Sequence, residues 1–140
     1  MTTEENFKTT LTSAGERVTT PRLLVFRALT RNGPMSMPKL IDAARTDNID
    51  KVTVYRTVEL LRKLGLLQEV GLGRHRLFEL SDYLHGHHHH FTCIVCGKII
   101  DFDSSVIEAD LTRIGADLGF TVHSHQLELT GTCEACSKNT

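Results

Sequence analysis

Apolar residues recur at helical spacing through the first half of the chain, and the pattern gives way to short alternating runs in the second. Phe7, Leu11 and Ala14 share one face of a predicted helix from Glu4 to Ala14, ended by Gly15. Thr20-Pro21 reads as N-cap and first helical residue of a second helix, which carries Leu24, Ala28 and Leu29 to about Arg31 and breaks at Asn32-Gly33-Pro34. Ser36 caps a third helix, with Leu40, Ile41 and Ala44 on one face. From Lys51 to Gly65, the residues Val54, Val58, Leu61 and Leu64, at offsets 0, 4, 7 and 10, form a stripe to be buried. That leaves Thr53, Tyr55, Arg56 and Thr57 off the stripe, at the helix's N-terminal end. Leu66 to Val70 and His75 to Leu80 read as strands joined by the hairpin turn Gly71-Leu72-Gly73-Arg74. Helices followed by a two-stranded ribbon predict a winged helix-turn-helix, whose last helix enters the DNA major groove.

Ser81 to Gly86 is the best boundary, because the rhythm changes after it. A strand from His87 to Thr92 runs into the knuckle Cys93-Ile94-Val95-Cys96, and a strand from Lys98 to Phe102 follows. A helix from Ser104 or Ser105 to Leu118 has an apolar face of Val106, Ile107, Leu111, Ile114 and Leu118. Phe120 to Thr130 alternates as a strand would, before Gly131 turns into a second knuckle, Cys133-Glu134-Ala135-Cys136. The expected fold class is α+β: a winged-helix domain at 1–80, a hinge at 81–86, and a small α/β metal-binding domain at 87–140.

Composition sharpens this division. The 140 residues are 40% hydrophobic and 24% charged, as in a soluble globular protein. Met1 to Thr12 has no signal-peptide pattern and no stretch has the apolar length to span a bilayer, so the expected location is the cytoplasm. Residues 1–80 hold 13 Lys/Arg against 9 Asp/Glu, a net of +4, whereas residues 81–140 hold 3 against 8, a net of −5. Seven of the eight histidines and all four cysteines lie in the acidic part. A basic half suited to phosphates thus precedes a half suited to cations.

Cys93, Cys96, Cys133 and Cys136 form two Cys-x-x-Cys pairs. A disulfide framework fits poorly with reduced cytoplasmic thiols, and a redox pair would stand at a helix start, whereas both pairs here follow strand-like segments. A structural, tetrahedral Zn²⁺ site is the expectation.

The run His87-His88-His89-His90 adds a different chemistry. Alternate residues of a strand share a face, so His88 and His90 point one way and His87 and His89 the other, which predicts two sites. On the later strand, His123 and His125 share a face. Asp101 and Glu108 are carboxylates able to complete sets containing imidazole, and mixed nitrogen and oxygen ligation suits Fe²⁺, Mn²⁺ or Zn²⁺. An affinity tag is disfavoured, since the run is internal and opens onto a knuckle.

Pro21-Arg22, Thr53-Val54-Tyr55-Arg56-Thr57, Phe78-Glu79-Leu80, the histidine run, Cys93-x-x-Cys96-Gly97-Lys98-Ile99-Ile100-Asp101-Phe102, Gly119-Phe120, His125 and Gly131-Thr132-Cys133-x-x-Cys136 occur in order over nearly the whole chain. Together they resemble the ferric uptake regulator (Fur) family. The resemblance implies a homodimeric, metal-dependent transcriptional repressor of metal homeostasis genes that binds palindromic promoter DNA, with 87–140 as the dimerisation domain. It also implies a structural zinc on the four cysteines, a regulatory metal on Glu79, His88, His90 and Asp101, and a third site on His87, His89, Glu108 and His125. Tyr55 is placed for base contact, Thr53 and Thr57 for methyl or hydroxyl contact, and Arg22, Lys51 and Arg56 for phosphates.

Three departures from the family pattern stand out. Gly33-Pro34-Met35-Ser36 lacks the His that many members place before the third helix. Two extra residues separate Glu79 from the histidine run, leaving Asp82 or His85 as substitutes, and position 89 is His where an acidic ligand is common. The oxygen-bearing ligands favour iron as the sensed metal, the extra imidazoles put zinc next, and peroxide sensing through bound iron is third. A zinc hydrolase or deaminase is disfavoured, because His-x-Glu and Pro-Cys-x-x-Cys are both missing. A metal buffer would have no use for a recognition helix.

Overall fold

A computed structural model describes residues 1–71 and 76–138, which divide into two compact units, Met1–Gly86 and His87–Thr140. The expected turn at 72–74 and His75 lie outside the described residues.

The first unit contains α1 (Thr3–Ser13), α2 (Thr20–Asn32), α3 (Met37–Arg45), α4 (Lys51–Lys63), β1 (Leu67–Val70), β2 (Leu77–Leu80) and α5 (Asp82–His85). Short polar side chains start its four long helices. Thr2 and Glu5 make a reciprocal capping box on α1, and Ser36 accepts from the Lys39 amide on α3. Asp50 accepts from the Thr53 amide at 2.7 Å and so fixes the first turn of α4. The cap of α2 is Thr19, one residue earlier than expected, since its hydroxyl reaches the Arg22 amide and Thr20 is already helical. Gly65 ends α4 at φ +74°, a conformation that a side chain would strain.

The apolar stripes of these helices converge on one core, in which Phe7 stacks on Phe26 with centroids 4.5 Å apart. Leu11, Leu40, Leu61 and Leu66 are fully buried there, each contributing roughly 1.5–3 kcal/mol. Strands β1 and β2 pair antiparallel from Leu67 opposite Leu80 to Val70 opposite Leu77. Met35, directly before the α3 cap, exchanges two backbone hydrogen bonds with Phe78 and so adds a bridge to the ribbon. The unit is a winged helix-turn-helix. Residues 82–85, expected within a hinge, instead form α5, whose Leu84 joins the core.

The second unit contains β3 (His89–Cys93), β4 (Ile99–Phe102), α6 (Ser105–Asp117), β5 (Glu128–Gly131) and α7 (Glu134–Lys138). β3 is central, antiparallel to β4 and parallel to β5. Ser104 caps α6 through the Ile107 amide, and Gly119 follows its end at φ +82°.

One expectation fails here. The strand over 120–130 is realised only from Glu128, because the parallel register pairs Glu128 with His90 and β3 begins only at His89. Further upstream, alternation finds no ladder to join among the described residues. The apolar face of α6 is not buried within the unit, for Val106, Ile114 and Leu118 are exposed and only Ile107 and Leu111 are partly covered. Among the described residues, no helix is long and apolar enough to cross a membrane.

Candidate functional site

The two Cys-x-x-Cys pairs meet because β5 runs parallel to β3 with Gly131 opposite Cys93, bringing the second knuckle beside the first. The four Sγ atoms lie within 4.8 Å of one another, and Cys96 and Cys133 are 3.8 Å apart. A disulfide would need about 2.05 Å, while a tetrahedron of ~2.3 Å Zn–S bonds gives about 3.8 Å between sulfurs. The donor set and spacing therefore fit zinc.

Amides of Cys96, Cys133 and Val95 point at the Cys93 sulfur and lower its pKa to about 6. The neighbouring Cys133 sulfur, burial, and then the other cysteine sulfurs push Cys136 up to about 12. Four adjacent thiols cannot all ionise without a cation to offset the charge. One premise needs correction: the second pair does stand at a helix start, since α7 begins at Glu134. The clustering of four thiols, rather than their distance from a helix, is what sets this site apart from a redox pair.

The histidines divide by face as strand alternation requires, although β3 is regular only from His89. On one face, His87, His89, Glu108 and His125 converge. Glu108 reaches both His87 and His125, at 3.2 and 3.0 Å, and its carboxylate also contacts His89 Nε2 at 2.5 Å. The His89 hydrogen bond, outweighing burial, together with the nearby imidazoles, lowers the pKa of Glu108. Three imidazole nitrogens and a carboxylate crowded together make a set that a divalent transition metal can take. His123 remains exposed and outside this set.

On the other face, His88, His90 and Asp101 offer ligand atoms within 4.8 Å of one another. The His88 and His90 rings are 4.7 Å apart, and Asp101 sits opposite His90 in the β3–β4 register. This face also meets Glu128 across β5 at 3.5 Å, a contact sequence reasoning missed. Its signal was an acidic residue on the predicted strand, on the face opposite His125.

In the first unit, Glu79 is only 4% exposed. It accepts a 2.7 Å hydrogen bond from the Gln68 amide, which also reaches Asp82 at 3.3 Å. Gln68 was a second omission. Met35 occupies the stretch lacking a His, buried and committed to its bridge with Phe78.

The nucleic-acid candidates lie around the N-terminal half of α4. Lys51 and Arg56 are exposed and Tyr55 is 47% exposed, with Lys51 Nζ 6.0 Å from its ring centroid. Arg22, Thr53 and Arg56 line a shallow concavity, where Arg22 pairs with Glu16 at 3.1 Å. Thr57 departs from expectation: it is 6% exposed and its hydroxyl donates to the Thr53 carbonyl. Standing three residues after Val54, it falls on the buried side of the helix.

The ferric uptake regulator family model matches residues 13–130. The chain is 33% identical over 142 residues to the ferric uptake regulation protein of Campylobacter upsaliensis, covering 97% of this chain and 90% of that one. It is 30% identical over 135 residues to the peroxide operon regulator of Bacillus subtilis strain 168, covering 92% and 90% respectively. The solved structure of the Helicobacter pylori ferric uptake regulator, said to have three functional metal-binding sites, shares the fold with a TM-score of 0.83 at 24% identity, over 96% of this chain and 91% of that one. The match through residues 13–130, spanning winged helix, histidine run and first knuckle, means that the chain belongs to the ferric uptake regulator family.

Proposed function

We propose that this chain is a metal-responsive transcriptional repressor that senses Fe²⁺ and acts as a cytoplasmic homodimer on palindromic promoter DNA. The observation that carries the reading is the sorting of imidazoles by β3, which gathers His88, His90 and Asp101 on one face of a unit joined to a winged helix. By the family resemblance, Glu79 completes that set from before the hinge, with Asp82, its neighbour through Gln68, as the candidate to replace the absent histidine. The set of His87, His89, Glu108 and His125 is assigned as the third site, and the four cysteines as structural zinc.

When bound, a divalent cation supplies the attraction that holds ligands before Gly86 to ligands after it. The protein's part is to make the metal-competent arrangement the one in which both recognition helices of the dimer meet successive major grooves. Shifting a population from mostly open to mostly closed needs a preference of about 5.5 kcal/mol, within reach of a few coordinate bonds. Lys51, Arg56 and Arg22 serve phosphates, while Tyr55 and Thr53 serve base edges. Val106, Ile114, Leu118 and Phe120, apolar and exposed, supply the surface for the second copy.

The deciding experiment is DNA binding by protein that keeps its cysteine zinc but is otherwise metal-stripped, titrated without oxygen with Fe²⁺, Mn²⁺ and Zn²⁺. Operator binding that rises with Fe²⁺ supports the reading. A rise with Zn²⁺ alone favours a zinc-uptake regulator, a reading that the nitrogen-rich third set supports. Loss of Fe²⁺-dependent binding on peroxide treatment favours the peroxide branch, and metal uptake without DNA binding would leave a buffer. Tyr55→Ala is expected to reduce sequence preference more than Arg22→Ala does, and equal losses of specific and non-specific binding in both would count against the assigned roles.

A further inference from the structure

His90 is held between two carboxylates, one from each neighbouring strand. The antiparallel register sets it opposite Asp101 on β4, and the parallel register sets it opposite Glu128 on β5. Its Nε2 lies 3.6 Å from Asp101 Oδ1 and its Nδ1 lies 3.5 Å from Glu128 Oε1. The imidazole is buried, flanked by hydrogen-bonded strands on both sides, whereas the Glu128 carboxylate is half exposed. Asp101 shares the ligand cluster with His88 and His90; Glu128 lies outside it.

A neutral imidazole offers a cation one lone pair, and the nitrogen that carries the proton decides where that pair points. A carboxylate facing Nδ1 favours the tautomer with the proton on Nδ1. The lone pair of Nε2 then faces Asp101 and the cluster. Either tautomer turns one lone pair toward a carboxylate, but on the Nε2 side a cation shared with Asp101 offsets that repulsion, whereas Glu128, outside the cluster, has only the Nδ1 proton to accept. We propose that Glu128 is a positioning residue of the His88–His90–Asp101 metal centre: it holds the His90 proton on Nδ1 and so selects Nε2 as the ligating atom. The separation of 3.5 Å is slightly longer than a hydrogen bond, and a small rotation of the half-exposed side chain closes it. The carboxylate–histidine–metal arrangement also makes the imidazole a stronger donor.

The inference rests on the assignment of these residues to a metal, and its test separates the two. Full-length protein with its cysteine zinc retained is loaded with Zn²⁺ and its imidazoles are read by long-range ¹H–¹⁵N correlation spectra. Affinity at the same centre is measured by chelator competition, for the unsubstituted chain, Glu128→Leu and Glu128→Gln. The expected wild-type spectrum shows His90 coordinated through Nε2 with a slowly exchanging proton on Nδ1. Glu128→Leu should lose that protected proton and bind about 10–100-fold more weakly. Glu128→Gln, whose carbonyl can accept the same proton, should recover most of the affinity, and zinc content and melting curve should be the same in all three.

Coordination of wild-type His90 through Nδ1 would overturn the proposal before any variant is made. So would a leucine variant with unchanged affinity and an intact Nδ1 proton, or equal weakening in the leucine and glutamine variants. If added metal leaves the His88 and His90 signals of the wild-type chain unmoved, the metal-centre assignment itself fails, and the role of Glu128 with it.

Discussion

The two units of this protein are held together by different means. Met1–Gly86 buries a continuous hydrocarbon core, from Phe7 and Leu11 through Phe26, Leu40 and Leu61 to Leu84. Among the described residues of His87–Thr140, those buried to the same degree are His89, His90, Thr92, Cys93 and Gly115, while Phe91, Ile94, Val106, Ile114, Leu118 and Phe120 face outward. The first unit therefore has in itself the burial that drives folding. The second buries metal-ligating side chains and exposes apolar surface, and among its described residues it has no comparable hydrocarbon core.

The sharpest way to break this contrast is to remove zinc. Cys133→Ser is expected to unfold residues 87–138 while residues 1–71 keep native amide-exchange protection, because structural zinc is worth on the order of 10 kcal/mol to such a site. Retained zinc and unchanged protection across both units would contradict it. Leu61→Ala, in the core of the first unit, should cost about 2–5 kcal/mol in a denaturant transition and leave zinc content untouched. Ile114→Asp and Leu118→Asp, at positions 52% and 71% exposed, should change monomer stability by no more than about 0.5 kcal/mol. Yet they should convert the proposed dimer to monomer in sedimentation, and a dimer persisting in both would remove α6 from the proposed interface.

The smallest effect is at Glu4, which ties α1 to α2 through Arg27 at 2.8 Å and also pairs with Lys8. Chiefly through the Arg27 hydrogen bond, its pKa falls from the usual 4.5 to about 2. Because the folded value is depressed, its contribution is fully present above pH 4.5 and is lost as pH falls toward 2. A Glu4→Gln chain should therefore melt slightly below the unsubstituted chain near neutrality and lose less melting temperature over that window, so that the two converge toward pH 2.

Features set by local chemistry could be read directly from the sequence. Ser36 and Gly65 mark helix ends by capping and backbone freedom, which neighbours hardly alter. The alternation of His87 to His90 over two faces follows from strand geometry alone; the carboxylate for each face, Asp101 or Glu108, comes from the family resemblance, and the two lie near those rings in the fold. What stayed hidden depends on partners distant in sequence. Residues 120–127 alternate as a strand does, but a strand needs a ladder, and the start of β3 decides where one exists. Thr57 lies off the predicted stripe of Val54, Val58, Leu61 and Leu64, yet three residues after Val54 it is turned inward. Gln68 and Glu128 carry no motif; their roles arise from cross-strand register, with Gln68 opposite Glu79 and Glu128 opposite His90.

Four identical residues leading into β3 also bear on how the strand finds its alignment. Displaced by one rung, the run would still present an imidazole on each face over much of its length, so the histidines alone discriminate weakly between correct and shifted pairings. Cys93 has no such duplicate: one rung off along β5, its sulfur would leave the amide of Cys133. The cysteine knuckle thus acts as a registration mark for the histidines beside it: with Cys93 held against Cys133, the run has one alignment.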